Sequence, residues 1–310
     1  MPRRLLTAFM ILTTMAPHVI IMAAITVNSG DGHALDDTKA RRDKARAAWA
    51  ALGIERYEAP SVDMLQAVPV HAFPAIEAGQ GAAADSAHFY AIVNFVIGQY
   101  DRSNGRLTAR WKGKYGGPIG HLNSCFTEDG KLYCANSNHP NLPMASSIEI
   151  FDTTTMTHHA SKSLGVMDEG SLVWFDRFRG GWIAGFAHYD DETGLPFKDH
   201  TYASIVTFDD RWRRTGGYML PASILEKMAP QAASGGAVGD DGRLYVMGHD
   251  LPEMYVLEFP EMGPVLRHRA TISVPAEGQA FAFDPADPRL VWAISRPARE
   301  VRAFRIPALD

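Results

Sequence analysis

Cysteine is almost missing from this chain, with two in 310 residues. That scarcity excludes a disulfide-dense miniature scaffold and a cysteine-built zinc or iron–sulfur centre. Runs of basic residues are missing as well. The 30 Lys and Arg stand against 35 Asp and Glu, a formal net charge of −5, and nothing in that balance suits nucleic acid as a partner. No His-Glu-x-x-His pair, Gly-x-Ser-x-Gly elbow or phosphate-binding glycine loop occurs. The common zinc peptidase, serine hydrolase and nucleotide-binding chemistries are excluded on that ground.

One long apolar run is present, from Leu5 to about Thr26, behind Arg3 and Arg4. A basic start followed by such a run reads as a secretory signal, with a small-residue cleavage site at Gly32-His33-Ala34. The expected division is a signal peptide over 1–34, a helical segment over 35–60 and a β domain over 61–310. An uncleaved anchor is the alternative, because about 20 apolar residues can span a bilayer. No cysteine lies near the run to carry a lipid. Cleavage removes Arg3, Arg4 and Asp31, so the mature chain stays mildly acidic. The expected location is periplasmic or secreted, without stable membrane association after cleavage.

The two cysteines carry more information than their number suggests. Cys125 and Cys134 flank Phe-Thr-Glu-Asp-Gly-Lys-Leu-Tyr, and Asp129-Gly130 is a strong type I′ hairpin signal. Pairing Glu128 with Lys131 places Cys125 opposite Cys134 in a non-hydrogen-bonded pair, where Cα atoms are about 4.5 Å apart. A cross-strand disulfide is therefore expected in an oxidising compartment. Two buried free thiols are the alternative.

Residues 36–52 are rich in Ala, Arg and Lys, begin with Asp36-Asp37 and stop at Gly53, which predicts a helix. Beyond Gly53 come short β-branched and aromatic runs cut by Gly, Asp and Pro, with one short helical patch at 222–228. The runs repeat. Second strands align at 131–136 (KLYCAN), 181–186 (GWIAGF), 243–248 (RLYVMG) and 289–294 (RLVWAI). Third strands follow at 147–151 (SIEIF), 204–208 (SIVTF), 254–259 (MYVLEF) and 301–306 (VRAFRI), and a fifth copy spans 82–111. A four-stranded unit recurring about every 40 to 50 residues is a propeller signature.

The predicted fold is thus an all-β propeller of five four-stranded blades with an N-terminal helix. A six-bladed ring and an open β-sandwich are the alternatives. The units start near Glu77, His121, Glu169, Ser234 and Glu277, and the last has only three strands of its own. Residues 64–70 (MLQAVPV) are expected to supply the missing outer strand. Closing the ring in this way removes exposed strand edges.

In such a blade the loops entering strand one and leaving strand two share a rim, whereas the Asp-Gly turns lie on the other. Strand-one entries bring Glu77, Gln80, His121, Asn123, Glu169, Ser171, Ser234, Glu277 and Gln279 to that rim. Strand-two exits bring Asn94, Asn136, Asn138, His139, His188, His249, Asp250, Ser295 and Arg296. Several imidazoles converging with carboxylates and amides over a channel are a candidate site. Neutral His121, His188 and His249 suit zinc, and Asn138, Glu169 and Glu277 offer oxygen to calcium. His121 and His188 are candidates for acid–base catalysis, and Arg296 is a candidate to hold a substrate anion bidentately. Asn123, Asn136, His139 and Gln279 are candidates for contacting substrate. Each also has a simpler reading, as loop histidines bonding backbone or Asn side chains capping turns.

The blade rhythm resembles the lactonase, gluconolactonase and muconate-cycloisomerase group of propellers over most of residues 77–307. That resemblance implies a calcium ion held by a strand-entry Glu with Asn or Asp from neighbouring blades. Glu169 or Glu277 and Asn123 or Asn138 occupy similar places, while the aspartate has no clear counterpart and the histidines are extra. Oligogalacturonate-lyase-like propellers hold a metal with several His and a Gln, which His121, His188, His249 and Gln279 resemble. The functions implied are a metal-dependent hydrolase of lactones or small esters, a non-catalytic binder of carbohydrate or protein, or a metal-dependent uronate lyase. The partner is in each enzymatic case a small molecule. The helical patch at 222–228, in the loop entering the fourth blade, is expected to cover part of the rim.

Overall fold

The structure is a computed structural model that describes residues 31–309. The apolar run expected to be a signal lies outside the described residues. The chain forms two compact units, divided between Ala59 and Pro60. In the first unit, α1 spans Asp31–Ala51, longer at its start than the sequence suggests. Its described side chains are largely exposed and no apolar stripe runs along it, so local propensity rather than packing accounts for it. Among the described residues no helix is long and apolar enough to cross a membrane.

The second unit is a five-bladed β-propeller. Strands β1 (Asp63–Gln66) and β2 (Val68–Pro74) come first in the chain and are used last in the ring. The first blade is β3 (Gly81–Ala84), β4 (His88–Val93), β5 (Val96–Asp101) and β6 (Leu107–Lys112). The second is β7 (His121–Glu128), β8 (Lys131–Ser137), β9 (Ala145–Asp152) and β10 (Thr157–Val166). The third is β11 (Ser171–Phe178), β12 (Gly181–Ala187), β13 (Ser204–Phe208) and β14 (Arg214–Met219). Helix α2 (Ala222–Met228) leads to the fourth blade, β15 (Gly235–Val238), β16 (Leu244–Met247), β17 (Glu253–Glu258) and β18 (Arg267–Ser273). The fifth contributes β19 (Ala282–Asp284), β20 (Asp287–Ser295) and β21 (Glu300–Arg305), and β2 completes it antiparallel to β21.

Ring closure differs in one respect from the expectation. The stretch 64–70 divides between two blades. Met64 to Gln66 run parallel to Thr271 to Ser273 as a fifth strand of the fourth blade, and only from Val68 onward does the chain complete the fifth. One segment therefore links both sides of the closing seam, which covers two outer edges that would otherwise be unpaired.

The core is divided into five wedges, one at each blade interface. Trp174 packs with Leu244, Val246 and Leu257 between the third and fourth blades, and Trp292 packs with Phe89 and Tyr100 between the fifth and first. Close approach explains two glycines. A Cβ on Gly185 would lie 2.1 Å from Trp174, and one on Gly236 would lie 2.4 Å from it, so these glycines form the slot for the indole. The second-blade hairpin has the register derived above, with Cys125 opposite Cys134 and both Asp129 and Gly130 at positive φ. The disulfide is formed, with Cα atoms 4.1 Å apart.

Candidate functional site

One mouth of the channel opens into a cavity of about 180 Å³. The first strands deliver its inner wall: Asn123 from β7, Val173 from β11, Ser234 just before β15, and Gln80 and Gln279 just before β3 and β19. Loops leaving second strands add His139, Tyr189, Asp191 and His249. Helix α2 buries Ile224, Leu225 and Met228 against the third and fourth blades, and the turn after it brings Gln231 to the cavity. A Cβ on Gly248 would meet Met228 at 3.1 Å, which puts the helix on the His249 side of the ring.

The chemistry centres on two imidazoles. The rings of His121 and His139 lie 4.9 Å apart, and His139 lies 5.0 Å from Tyr189. Burial, with repulsion from His139 adding to it, pushes His121 down to about 4. Burial also lowers His139, but the Asp191 carboxylate opposes that and keeps it the more basic candidate. Burial pushes the Tyr189 phenol up to about 12, so it remains a donor at neutral pH. Beside them Asn123 is 4% exposed, and its Oδ1 has no hydrogen-bond partner among the described residues. A buried amide end without a partner is costly unless a ligand or water supplies one.

Gln279 adds strain to the same wall. It is 2% exposed and holds φ at 68°, in the left-handed region that non-glycine residues seldom occupy. Its backbone N–H donates to the Gly248 carbonyl, and Gly278 before it packs so tightly on His249 that a Cβ would lie 2.3 Å from that backbone. Non-glycine residues fixed in this conformation cluster at binding sites.

Other residues singled out in the sequence sit elsewhere or are already partnered. His188 is 1% exposed and turns beneath the backbone of Asp168 and Glu169, edge-on to Tyr202, instead of reaching the cavity. His249 lines the cavity, but its Nε2 accepts from Arg296 at 2.9 Å and its Nδ1 donates to Asp250 at 2.7 Å. That arrangement fixes the tautomer, since arginine only donates, and it occupies Arg296. Glu169 is ion-paired to Arg214 at 2.5 Å, and Glu277 lies 3.8 Å from Arg302 through Oε1, while its buried Oε2 has no hydrogen-bond partner among the described residues. Asn138 braces its own loop through the Pro143 carbonyl and the Ala145 amide. Asn136 likewise accepts from the His121 amide and donates to Ser147.

The donors expected for a divalent metal are therefore not drawn around one point. Asp191 is the one carboxylate among the described residues lining the cavity. A calcium cage needs about six to eight oxygens, and this set does not fit it. Among the described residues, Asp190, Asp199 and His200 alone bring three ligand atoms of acidic, His or Cys side chains within 4.8 Å. Their hydrogen-bonding is local: Asp190 accepts from His200, and Asp199 caps the following 3-10 turn.

Tyr189, Asp191 and Gln231 are cavity residues that the sequence pattern missed. They stand on irregular connections, where no strand period marks a direction. The three residues after His188, Tyr189-Asp190-Asp191, were the available signal, because a strand-two exit had already been assigned there.

No family model matches the chain, and no curated protein matches it. Among solved structures it is similar to a luciferin-regenerating enzyme, with 13% identity over 78% of this chain and 96% of that one, TM-score 0.44. It is also similar to a gluconolactonase from Xanthomonas campestris, with 10% identity over 71% and 69%, TM-score 0.41. The WD40 repeats of RRP9 match at 8% identity over 73% and 79%, TM-score 0.42. At these identities and TM-scores the likenesses carry nothing about chemistry.

Proposed function

We propose that the chain is an exported hydrolase of lactones or small neutral esters, acting in the His121–His139 cavity. The observation that carries this reading is the convergence of two neutral imidazoles and a buried Asn123 Oδ1 without a partner in one cavity, with no Lys or Arg among its described lining residues. A cavity without a fixed cation favours a neutral carbonyl compound over a carboxylate, which argues against a uronate lyase.

The residues then divide the work. Asn123 Oδ1 accepts from a hydroxyl of the substrate, and His121, too weakly basic to serve as a base, offers a neutral ring nitrogen for positioning. His139, kept more basic by Asp191, takes the proton from the attacking water. Tyr189 donates to the oxygen that gains negative charge. The water oxygen bonds to the carbonyl carbon, the ring or ester C–O bond breaks, and His139 returns its proton to the departing alkoxide. The product carboxylate finds Asp191 and no cation, which favours release. No step is assigned to a metal.

Export is supported by the disulfide, which suits an oxidising compartment. The test is acid release by the purified protein from a panel of γ- and δ-lactones and acetate esters, with and without EDTA. Turnover that survives EDTA and falls at least about 100-fold in His139→Ala is expected for a lost acid–base group. No turnover of any member, with saturable binding of a sugar in the same cavity, would instead establish the non-catalytic carbohydrate-binding reading.

A further inference from the structure

The opposite mouth of the channel holds a second cavity, of about 190 Å³. Phe126 from β7, Phe175 from β11, Phe283 from β19 and Phe281 just before β19 line it, and Asp176 stands among them. The phenyl rings interlock, with Phe126 edge-on to Phe175 at 5.3 Å and Phe281 edge-on to Phe283 at 5.9 Å. No Lys, Arg or His is among the described lining residues.

Asp176 is half-buried, and its hydrogen bonds come from two backbone amides, Arg177 at 2.7 Å and Val238 at 2.8 Å. Oδ1 accepts from Arg177 and Oδ2 from Val238, and the second bond ties the third blade to the fourth. Two neutral amides hydrogen-bond the carboxylate without neutralising its charge. Arg177 compensates it only in part: its guanidinium turns to Glu128 at 2.5 Å and lies 3.7 Å over the Trp182 ring, and the Glu128 charge repels that of Asp176. The other carboxylate of the cavity, Asp284, is already compensated by Arg102 at 2.5 Å and by the Trp292 indole at 2.9 Å. Burial pushes Asp176 up to about 6, as expected for a carboxylate short of a counter-charge.

A ligand that compensates Asp176 must be cationic. A hard metal ion prefers several oxygen ligands, whereas this cavity sets a single partly compensated carboxylate among phenyl rings. An organic ammonium matches both features, with its charge on the carboxylate and its carbon chain on the rings. By the volume one water occupies, the space holds about six non-hydrogen atoms. We propose that this second mouth binds a small organic ammonium ion, anchored by Asp176 between Phe175, Phe281 and Phe283, independently of the histidine-bearing cavity.

The test is an amide NMR titration of the purified protein with n-butylammonium, with the isosteric neutral 1-butanol as comparator and calcium as a third arm. Saturable shifts confined to 124–127, 175–176, 236–238 and 281–285 are expected, with 1-butanol binding at least about ten-fold more weakly. Asp176→Asn should weaken n-butylammonium binding by at least about ten-fold while leaving the fold intact. Absence of saturation, shifts centred on His121 or Gln279, equal binding of 1-butanol, or calcium reproducing the same shifts would each overturn the proposal. The wild-type comparison decides even where the variant does not fold. No lactone is involved, so failure here leaves the hydrolase reading untouched.

Discussion

Replacing His121 with Gln should make the protein less sensitive to acid, by an amount the structure allows to be worked out. His121 titrates near 4 when folded, against an ordinary value of 6.5. Above pH 6.5 the ring is neutral in both the folded and unfolded chain, and the shift has no effect. As pH falls through the window from 6.5 to about 4, the unfolded chain takes up a proton that the folded one refuses, so stability is lost. The loss is about 2 kcal/mol between pH 7.5 and pH 5, and it reaches about 3 kcal/mol below pH 4. His121→Gln removes that penalty and also relieves His139 of a neighbour it repels. Urea unfolding at pH 7.5 and pH 5 reads the difference. The midpoint of the variant should fall by roughly 0.7 to 1 M less than that of the wild type, for a slope of about 2 to 3 kcal/mol per M. Equal falls in both proteins would refute the buried neutral imidazole pair.

Asp176 shifts the other way. Its folded value, raised to about 6 from 3.8, means that its stabilising contribution is full below pH 3.8 and is lost as pH rises through 6. Asp176→Asn loses one of the two amide bonds at every pH but escapes the charge penalty, so relative to wild type it should be about 1 to 2 kcal/mol more stable at pH 7.5 than it is at pH 4, after allowing for partial solvent exposure. Thermal melts at the two pH values check this, and a variant-to-wild-type difference that is the same at both would contradict it. Removing the disulfide as Cys125→Ala with Cys134→Ala should cost about 2 to 3 kcal/mol, the entropy of a loop closed across nine positions. Reducing agent should lower the melting temperature of the wild type and not of the double variant.

What could be read from the sequence followed the range of the interaction that fixes each feature. The 125–134 hairpin was legible to the residue, because Asp129-Gly130 sets the turn and the turn sets the register. Blade number was legible because the motif recurs five times. The closing seam was legible only in outline. Met64 pairs with Thr271 and Val68 with Arg305, and no local signal tells a reader that one short stretch changes partner at Ala67. The rim was assigned by topology, which put His121, His139, Asn123, Gln279 and His249 at one mouth. Side-chain direction was beyond that reasoning. His188 turns under Glu169, and Arg296 is held by His249, because packing and pairing at a loop decide where a side chain points. The opposite rim was assigned only the Asp-Gly turns, and there Asp176 stands among phenylalanines. Its polarity is hidden in a strand whose neighbours read as core.

In the proposed reaction the histidine-bearing cavity is where a neutral cyclic carbonyl compound binds. A crystal structure of the protein soaked with a δ-lactam, the slowly hydrolysed amide counterpart of a lactone, tests that directly. The prediction is density for the ring between His121, His139 and Asn123, with a polar atom of the lactam within about 3.2 Å of the Asn123 amide. Density at the Asp176 mouth alone, or an empty histidine cavity at saturating lactam, would contradict it.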